Sequence, residues 1–511
     1  MAAGRIIRGR DLVGAQTLSV DAVIVGSGAS GAVVAAELAA AGQRVVVLEE
    51  GPHVTGPEHG RMRPSESIRS LWREGAMTAA LGLGDTPLIN VTMGRGVGGS
   101  SMLTGGVCFR TPGHVLHRWY HERRLTELTE QSLEPYFEDV ERISNVELVP
   151  ESMRSKSTVL WGVGAQKLGA TLRPNRRNTR GCDGCSQCNF GCPKGAKMSV
   201  DLTFLPRAIQ AGCEVLSDCL VDRLIIEGGR AVGVRGRLLN RPGLKPGDRV
   251  EVRAARVILA AGAAHTPLLL LRSGVGKRGG QVGRNMTLHP SFRMIARFDE
   301  RVDGWKGALQ SAHSDSYEHE GLTMMSVFVP PAVVLSAVPG FGPAFTERAA
   351  GLPHLAMFGG MIHDEGGGRI RRGPGREPIM TYRMDRQDRA RLPQLIRRLG
   401  EAFIAAGARE LYAPVLGSPP MTPDVFRSFE FERVPGRRFE CTSQHPLGTT
   451  RMGDRFDNSV VDTWGRTWDV DNLYIVDGGV IPTSLGVNPQ LSIMAMALRL
   501  ARGILEPRPR S

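Results

Sequence analysis

Residues 20–31 read Val-Asp-Ala-Val-Ile-Val-Gly-Ser-Gly-Ala-Ser-Gly, and this stretch decides the fold of the N-terminal part of the chain. The run 20–25 is typical of a buried strand, and the Ala-rich run after the glycines is typical of a helix. Gly42 ends this helix, and residues 44–48 predict a second strand that leads into Glu49. Strand, glycine-rich turn, helix, strand and acid in this order predict a nucleotide-binding βαβ unit.

Each residue of the turn has a physical role in holding a dinucleotide. Gly26 permits the tight turn, Gly28 lets the backbone approach the pyrophosphate, and Gly31 lets the helix pack closely on the strand. The helix N-terminus, where Ser30 lies, directs free N–H groups and a partial positive charge at the phosphates. The carboxylate of Glu49 can accept hydrogen bonds from ribose hydroxyls. These residues predict a dinucleotide site and leave FAD and NAD open.

The composition favours a large enzyme with more than one packed unit. The chain has 511 residues, of which 41% are hydrophobic and 64 are glycine. Lys and Arg exceed Asp and Glu by 64 − 51 = 13, but the basic residues are scattered along the chain. Because they form no block interleaved with aromatic residues, we expect no nucleic-acid partner.

The ends of the chain and its apolar runs bear on location. Residues 1–19 carry three arginines without the apolar core of a signal sequence, and no run of eighteen apolar residues occurs. We expect a cytoplasmic protein without a transmembrane segment, and peripheral association with a membrane stays open. The Pro- and Arg-rich tail after Glu506 is expected to fray.

A second glycine-rich segment connects the chain with a known family. Residues 94–112 read Gly-Arg-Gly-Val-Gly-Gly-Ser-Ser-Met-Leu-Thr-Gly-Gly-Val-Cys-Phe-Arg-Thr-Pro, a loop whose exposed backbone can lie against a flat ring system. This loop resembles a signature of the glucose–methanol–choline (GMC) oxidoreductases. Four later segments are also similar to segments of that family, in the same order: 254–276, 282–289, 443–453 and 472–489. The resemblance covers about residues 20–505.

The resemblance implies an FAD-dependent enzyme that oxidises an alcohol by hydride transfer to the flavin. It also implies an α/β fold, with a Rossmann-type FAD-binding domain and an α+β substrate domain built on a large antiparallel sheet. The FAD-binding domain is expected to be discontinuous, at 15–110, 200–290 and 440–507. The substrate domain is expected at 111–199 and 291–439, including a Cys-rich loop at 182–192.

The catalytic and cofactor residues follow from the same resemblance. His445 is implied as the base, since a neutral imidazole near the flavin can accept the hydroxyl proton, and Asn488 is implied to hold the substrate oxygen. Thr104 stands where many relatives have Asn, so one flavin-side hydrogen bond of the family is not implied here. The residues expected to contact FAD are Gly26, Gly28, Ser30, Gly31, Glu49, Gly94, Arg95, Gly98, Gly99, Ser100, Thr104, Val221, Asp477 and Gly478.

Two short segments resemble the long-chain alcohol oxidase branch of the family. One runs from Thr111-Pro112 to Trp119, and the other comprises Met361-Ile362-His363-Asp364 and the segment 378–382. They imply a long-chain or otherwise hydrophobic alcohol as substrate. A sugar, aminosugar or sterol hydroxyl is the alternative substrate, and a non-redox FAD lyase is the alternative class. The electron acceptor is O2 or another molecule.

The four clustered cysteines have a spacing typical of metal ligands. Cys182, Cys185, Cys188 and Cys192 form the pattern C-x2-C-x2-C-x3-C followed by Pro193, which is the spacing of bacterial ferredoxin cluster ligands. An iron–sulfur cluster, a structural zinc and a metal-free loop are the three interpretations. The iron–sulfur cluster is carried forward as a candidate second cofactor.

One helix is predicted in the C-terminal half from its apolar spacing. Residues 388–406 place Leu392, Leu395, Leu399 and Phe403 on one side of a helix, together with Ile396. This stripe is expected to pack in the core.

Overall fold

A computed structural model describes residues 3–239 and 246–506 of the chain. The tail after Glu506, for which the sequence predicts fraying, lies outside the described residues. The helices are α1 (Ala29–Ala40), α2 (Gly56–Arg61), α3 (Pro64–Leu71), α4 (Gly113–Arg123), α5 (Glu130–Ile143), α6 (Lys156–Lys167), α7 (Phe204–Gln210), α8 (Gly262–Arg272), α9 (Pro331–Leu335), α10 (Gly342–Ala350), α11 (Arg386–Ala405), α12 (Pro423–Ser428) and α13 (Gln490–Leu505).

The strands form two large sheets and one small one. They are β1 (Ile6–Arg8), β2 (Gln16–Val25), β3 (Val45–Leu48), β4 (Ala79–Gly82), β5 (Ile89–Val91), β6 (Val146–Leu148), β7 (Arg173–Pro174), β8 (Arg176–Asn178), β9 (Glu214–Ser217), β10 (Cys219–Glu227), β11 (Arg230–Leu239), β12 (Pro246–Leu259), β13 (Ser291–Arg297), β14 (Ala312–Ser314), β15 (Leu322–Ser326), β16 (Leu355–Ile362), β17 (Arg369–Arg371), β18 (Ile379–Tyr382), β19 (Glu410–Tyr412), β20 (Cys441–Ser443) and β21 (Leu473–Ile475).

The first large sheet has the order β1-β9-β3-β2-β12-β11-β10, and β21 also pairs with β12. The pairs β1–β9, β9–β3, β3–β2, β2–β12 and β12–β21 are parallel, whereas β11 pairs antiparallel with both β12 and β10. The predicted strand at 20–25, the helix after it and the strand at 44–48 are confirmed as β2, α1 and β3. Helix α1 packs against α7 and α13. This arrangement covers the central strands and explains their nearly continuous apolar sequence.

The second large sheet is mostly antiparallel and follows the order β17-β18-β4-β5-β20-β13-β16-β15-β14-β7, with β19 on β13. Helices α6 and α11 pack on it, and α11 confirms the helix predicted at 388–406. Its stripe is fully buried as expected: Leu392, Leu395, Ile396, Leu399 and Phe403. The predicted α/β fold with a large antiparallel sheet is confirmed.

The two faces of the second sheet have different surroundings. Ile89 and Ala80 lie in the same apolar core as α11. Their neighbours in sequence point to the opposite face, because side chains alternate along a strand. On that opposite face Ser291 of β13 pairs with Met361 of β16, and both side chains line a cavity.

Some strands of the second sheet come from the ranges predicted for the FAD-binding domain. Strands β4 and β5 fall within the range 15–110, and β20 falls within 440–507, yet all three pair in the second sheet. The boundaries therefore stay a prediction. Among the described residues, no helix is long and apolar enough to cross a bilayer.

Substituting Gly31 tests the packing of α1 on its turn. A methyl group there would overlap the carbonyl oxygen of Gly26 and lie 3.1 Å from the side chain of Ala260. We expect Gly31→Ala to lower the free energy of unfolding by about 1–3 kcal/mol, as overpacking does, and to lower the flavin content. Thermal unfolding and the visible spectrum measure the two effects. Gly56→Ala is the control, because its nearest new contact is at 3.7 Å; equal behaviour of the two variants would contradict the prediction.

Candidate active site

Two cavities share one wall. The first, called the cofactor cleft below, runs over the glycine-rich turn, and the second, the substrate cavity, lies on the second sheet and has a volume of about 450 Å³. Both are lined by Ala29, Ser100, Ser101, Gln444, His445, Pro489 and Ile493. A group bound in the cleft at this wall would therefore meet a molecule bound in the cavity.

The structure gathers most of the expected cofactor residues at the cleft. The cleft is lined by Gly26, Gly28, Ser30, Glu49, Gly94, Gly99, Ser100, Val221, Asp477 and Gly478. Four expected residues are not part of its lining. Gly31 packs behind the turn, the backbone of Arg95 binds Leu71, Gly98 binds the hydroxyl of Ser27, and Thr104 lines the substrate cavity instead.

The loop that begins at Gly94 lies directly on the glycine-rich turn. A methyl group at Gly99 would approach the Cα of Gly28 to 2.6 Å, so Gly99 has no room for a side chain. The amide of Gly98 donates to the hydroxyl of Ser27 at 3.1 Å. Gly98 and Gly99 have φ angles of 103° and 57°, which favour glycine. The two segments thus form one bare-backbone cradle.

Glu49 is already engaged within the protein. One of its oxygens accepts from the amide and the hydroxyl of Ser27, at 3.1 and 2.7 Å, and the other accepts from the amide of Gly51 at 2.8 Å. Burial raises the pKa of this carboxyl. Because each carboxylate oxygen has two lone pairs, Glu49 keeps capacity for a ribose hydroxyl.

A charged network that no sequence motif indicates lies along the same cleft. Buried Arg73 bridges Glu50 at 2.6 Å and Glu377 at 2.8 Å, and Glu377 also contacts His265 at 3.0 Å. Burial acts to raise the pKa of Glu50, but Arg73 outweighs it and holds that pKa at about 2. These residues come from four separate parts of the chain, so no local motif could reveal them.

Asp477 joins three segments at the cleft. One of its oxygens accepts from the amide of Gly262 and the hydroxyl of Thr266, at 2.9 and 2.5 Å, and the other accepts from the amide of Gly479 at 2.8 Å. It therefore caps the short 3-10 helix at 478–480 and also lines the cleft. Burial raises the pKa of Asp477 to about 6.

His445 and Asn488 meet at the wall between the two cavities. The side-chain amide of Asn488 lies 3.2 Å from Nε2 of His445. Nδ1 of His445 and Oδ1 of Asn488 are buried and have no hydrogen-bond partner among the described residues. Burial, reinforced by nearby His289, holds the pKa of His445 well below its ordinary value. The imidazole is therefore neutral through the neutral pH range.

His289 supports this pair from behind. Its Nε2 accepts from the amides of Leu485 and Gly486, both at 3.0 Å, so this nitrogen carries no proton. Its ring lies edge-on to that of His445, with centroids 5.2 Å apart. Burial lowers the pKa of His289 to about 3. We assign it a positioning role, because it holds the turn that leads to Asn488.

Thr104 differs from the expectation of a flavin contact. Its hydroxyl donates to Oε1 of Gln490 at 2.8 Å, and both residues line the substrate cavity. The hydrogen bond joins the end of the 94–104 loop to the start of α13. The hydroxyl of Thr104 is thus engaged within the protein wall.

The substrate cavity is mainly apolar. Its apolar lining includes Ile68, Trp72, Phe190, Met325, Val327, Val329, Val333, Met357 and Met361. The one charged side chain of the described lining is Arg293, which pairs with Glu440 at 2.8 Å. The acidic residues at 299–303 and 318–320 are not part of this lining. The cavity therefore favours an uncharged, hydrophobic molecule.

The four clustered cysteines do not form the predicted metal site. Within residues 3–239 and 246–506, no group of three or more His, Cys, Asp or Glu side chains is arranged to hold a metal ion. Cys185 and Cys192 hydrogen-bond to each other, and this contact lowers the pKa of Cys192 to about 5. Cys188 instead accepts from buried Arg177 at 3.0 Å. The iron–sulfur prediction for Cys182, Cys185, Cys188 and Cys192 is therefore not supported.

The Cys-rich loop supports the wall of the substrate cavity instead. Arg177, held by Cys188, also donates to the carbonyl of Gly105 at 2.9 Å. The side-chain amide of Asn189 donates to the carbonyl of Leu103 at 2.7 Å. Buried Lys197 donates to the carbonyls of Cys188, Thr104 and Met102. These bonds fix the backbone that follows the cradle.

The residues of the cleft fit FAD. The bare-backbone cradle at Gly28 and Gly99 admits a pyrophosphate or a flat ring, and the N-terminus of α1 supplies free N–H groups. Glu49 keeps acceptor capacity for a ribose. At the wall, the unpartnered Nδ1 of His445 and Oδ1 of Asn488 leave polar capacity beside the cleft.

Comparison with known proteins agrees with this geometry. The sequence model of a family described as GMC oxidoreductase matches residues 20–291 with its N-terminal part and residues 368–497 with its C-terminal part. An uncharacterised GMC-type oxidoreductase of Mycobacterium tuberculosis is 37% identical over 94% of this chain and 75% of its own length. A long-chain-alcohol oxidase of Arabidopsis thaliana is 27% identical over 95% of this chain and 67% of its own.

A solved structure shows the same fold. The crystal structure of pyridoxine 4-oxidase from Mesorbium loti superposes with a TM-score of 0.72, at 19% identity, over 96% of this chain and all of the other. At this identity the likeness concerns the fold alone.

Replacing Asp477 tests its place at the cleft. In Asp477→Asn the side-chain NH2 group must face one of three donors, which leaves a buried donor unsatisfied at a cost of about 1–3 kcal/mol. We expect FAD to bind about tenfold more weakly, measured by flavin fluorescence during titration of the apoprotein. Asp457→Asn is the control, because Asp457 is exposed and pairs only with Arg455. An unchanged affinity of Asp477→Asn for FAD would show that Asp477 is not part of the cofactor site.

Proposed function

Because the chain belongs to the GMC oxidoreductases, an FAD-dependent family that acts on alcohols, we propose that it oxidises a long-chain or otherwise hydrophobic alcohol to the aldehyde or ketone. The observation that carries the choice of substrate is the apolar cavity that meets the cofactor cleft at His445. The relation to long-chain-alcohol oxidases supports the same choice.

His445 acts as the base in this proposal. Hydride leaves a carbinol carbon only when its hydroxyl proton is removed at about the same time, and a neutral imidazole can accept that proton. His445 lines both cavities and is kept neutral by burial. Bound FAD supplies the hydride acceptor on the cleft side of the same wall.

Asn488 orients the alcohol in this proposal. Its side-chain amide lies beside Nε2 of His445 and can donate to the substrate oxygen while His445 accepts the proton. Thr104 and Gln490 are hydrogen-bonded to each other, and neither side chain brings a charge to the cavity. The apolar lining then holds the carbon chain and excludes water from the reacting group.

The lining also weighs against one of the alternative substrates, a cationic aminosugar. A sugar or aminosugar needs several polar partners, and a cationic aminosugar would gain from a carboxylate. No Asp or Glu of the described residues lines the substrate cavity. A hydrophobic alcohol needs only the two polar partners at the wall.

Replacing the base separates binding from chemistry. We expect His445→Gln to keep FAD and to slow its anaerobic reduction by alcohol by a factor of about a hundred to ten thousand, since that is the usual contribution of a general base. Stopped-flow absorbance measures the rate. His59→Gln is the matched control, because His59 is also a buried histidine but lines neither cavity. A variant with undiminished reduction would mean that His445 is not the base.

The pH dependence tests the state of the imidazole. A base is active when unprotonated, so lowering its pKa extends activity toward acid pH. We expect kcat/KM of the wild type to stay level as pH falls through about 6.5, the ordinary histidine value, and to decline only below it. Because Asp477 has a pKa of about 6, the flavin content is checked in each buffer. A decline centred above the ordinary value, with flavin still bound, would contradict a buried neutral base.

The substrate class is tested by chain length. Each methylene moved from water into an apolar cavity contributes about 0.8 kcal/mol, so kcat/KM should rise about fourfold per methylene in a series of linear primary alcohols until the cavity is filled. Anaerobic flavin reduction measures the series, with glucose, glucosamine and a sterol in parallel. Met361→Glu should flatten the rise, whereas Val163→Glu on the exposed side of α6 should not. Reduction by a sugar alone would replace the proposed substrate.

A further inference from the structure

The sheet face that lines the substrate cavity continues past it into solvent. Thr442 and Asn90 are cross-strand partners that both line the cavity, and Asn90 also pairs with Ala79 of β4. Partners share a face, and side chains two positions apart on a strand share it too. Leu81 and Leu88 therefore lie on the cavity face, one step further from the cavity.

The next strand extends the same face. Met380 of β18 pairs with Ala80 of β4, and both point into the core. Ile379 therefore points to the opposite face, beside Ala79 and Leu81. On this face Leu81 and Leu88 are each 53% exposed and Ile379 is 40% exposed.

Met77 connects this exposed surface with the cavity. The side-chain amide of Asn90 donates to the carbonyls of Ala76 and Thr78, at 2.9 and 3.3 Å, and so holds the turn between them on the same face. Ala76 lines the cavity, and Met77 beside it is 83% exposed. Met77, Leu81, Leu88 and Ile379 are called the apolar apron below. Such a group of exposed large apolar side chains marks an interaction surface.

Arginines border the apolar apron. On β17, Arg371 pairs with Ile379 and Arg369 pairs with Thr381, so both arginines share the apron's face. They are exposed, as are the neighbouring Arg372 and Arg383. Within residues 3–239 and 246–506, none of these four has a carboxylate within ion-pair distance. The acids nearest in sequence to the apron each have a basic partner: Glu377 pairs with Arg73, Asp85 with Arg389 and Glu74 with Arg376.

We propose that the apolar apron and its four arginines dock the enzyme on an anionic phospholipid bilayer. The apolar side chains would enter the boundary between headgroups and acyl chains, while the arginines contact the lipid phosphates. An alcohol dissolved in the bilayer then reaches the cavity beside Met77 without crossing water. This last step rests on the proposed function, whereas the docking does not.

The charge of the surface favours a bilayer over a second copy of the chain. A two-fold contact through the apron would bring the unpaired arginines of both copies into one interface, where they repel each other. A bilayer that contains anionic lipid offers them phosphates instead. The overall excess of basic residues acts in the same direction.

Co-sedimentation of the holoenzyme with vesicles, in the absence of alcohol, tests the docking. We expect binding to phosphatidylcholine vesicles that contain phosphatidylglycerol, weak binding to pure phosphatidylcholine, and loss of affinity at high salt. Replacing one of the four arginines by Gln should weaken binding about fivefold, which corresponds to about 1 kcal/mol per arginine. The double variant Leu81→Asp/Leu88→Asp should weaken it at least tenfold. Leu148→Asp is the control, since Leu148 is 55% exposed on the small sheet of β6 and β8.

Three results would overturn the docking. The first is a wild type that binds neither kind of vesicle, which is read directly from the sediment. The double variant could bind as tightly as the wild type while keeping its flavin spectrum. The wild type could also be a dimer in light scattering that the double variant converts to a monomer, which would make the apron a contact between copies.

A kinetic comparison tests the delivery of substrate separately. With a long-chain alcohol carried in anionic vesicles, the double variant should lose severalfold in kcat/KM, while its anaerobic reduction by a short, water-soluble alcohol stays at the wild-type rate. Equal loss with both alcohols would contradict delivery through the apron. Vesicle binding without oxidation of any alcohol would refute the proposed function and leave the docking in place.

Discussion

The rest of the site depends on the two hydrogen bonds made by the hydroxyl of Ser27. It donates to the carboxylate of Glu49 and accepts from the amide of Gly98, so one side chain ties the glycine-rich turn to the second strand and to the 94–104 loop. The loop can lie this close because Gly99 has no side chain, since a methyl group there would come within 2.6 Å of the Cα of Gly28. Ser100 and Ser101, which follow Gly99 in the chain, line both the cofactor cleft and the substrate cavity. The position of the cradle therefore also sets the position of the wall between them.

The parts that the sequence predicted are those in which local chemistry dictates geometry. A turn that needs Gly26 and Gly31, a helix with its apolar stripe at Leu395 and Leu399, and a strand of consecutive valines each carry their structural cause within a few residues. The pairing of His445 with Asn488 is not local, and it was expected only because segments of the chain resemble a family. The structure brings the two side chains to 3.2 Å.

The parts that the sequence did not reveal depend on the register of the second sheet. Strands β4, β5, β13, β16 and β20 come from widely separated segments, and only their pairing decides that Asn90, Met361 and Thr442 share a cavity. The network of Arg73 with Glu50 and Glu377 has the same origin. The metal site suggested by the cysteine spacing is not supported for a related reason. Buried Arg177 donates a hydrogen bond to the thiol of Cys188, and the Cys-rich loop supports the wall of the substrate cavity. Spacing along a chain limits which ligands can meet, but the fold decides which of them do.

The burial of His445 and Asn488 at the shared wall affects both the protonation state of the base and the choice of substrate. Removing His445 from water disfavours its charged form and so keeps the imidazole ready to accept a proton. The same burial is costly for an unpaired polar group, so Nδ1 of His445 and Oδ1 of Asn488 favour a ligand that brings a polar partner to this wall. An apolar alcohol adds only one hydroxyl to such a wall, and its carbon chain can pack on the methionines and valines of the cavity. The protonation state of the base and the preference for an apolar substrate thus arise from the same exclusion of water.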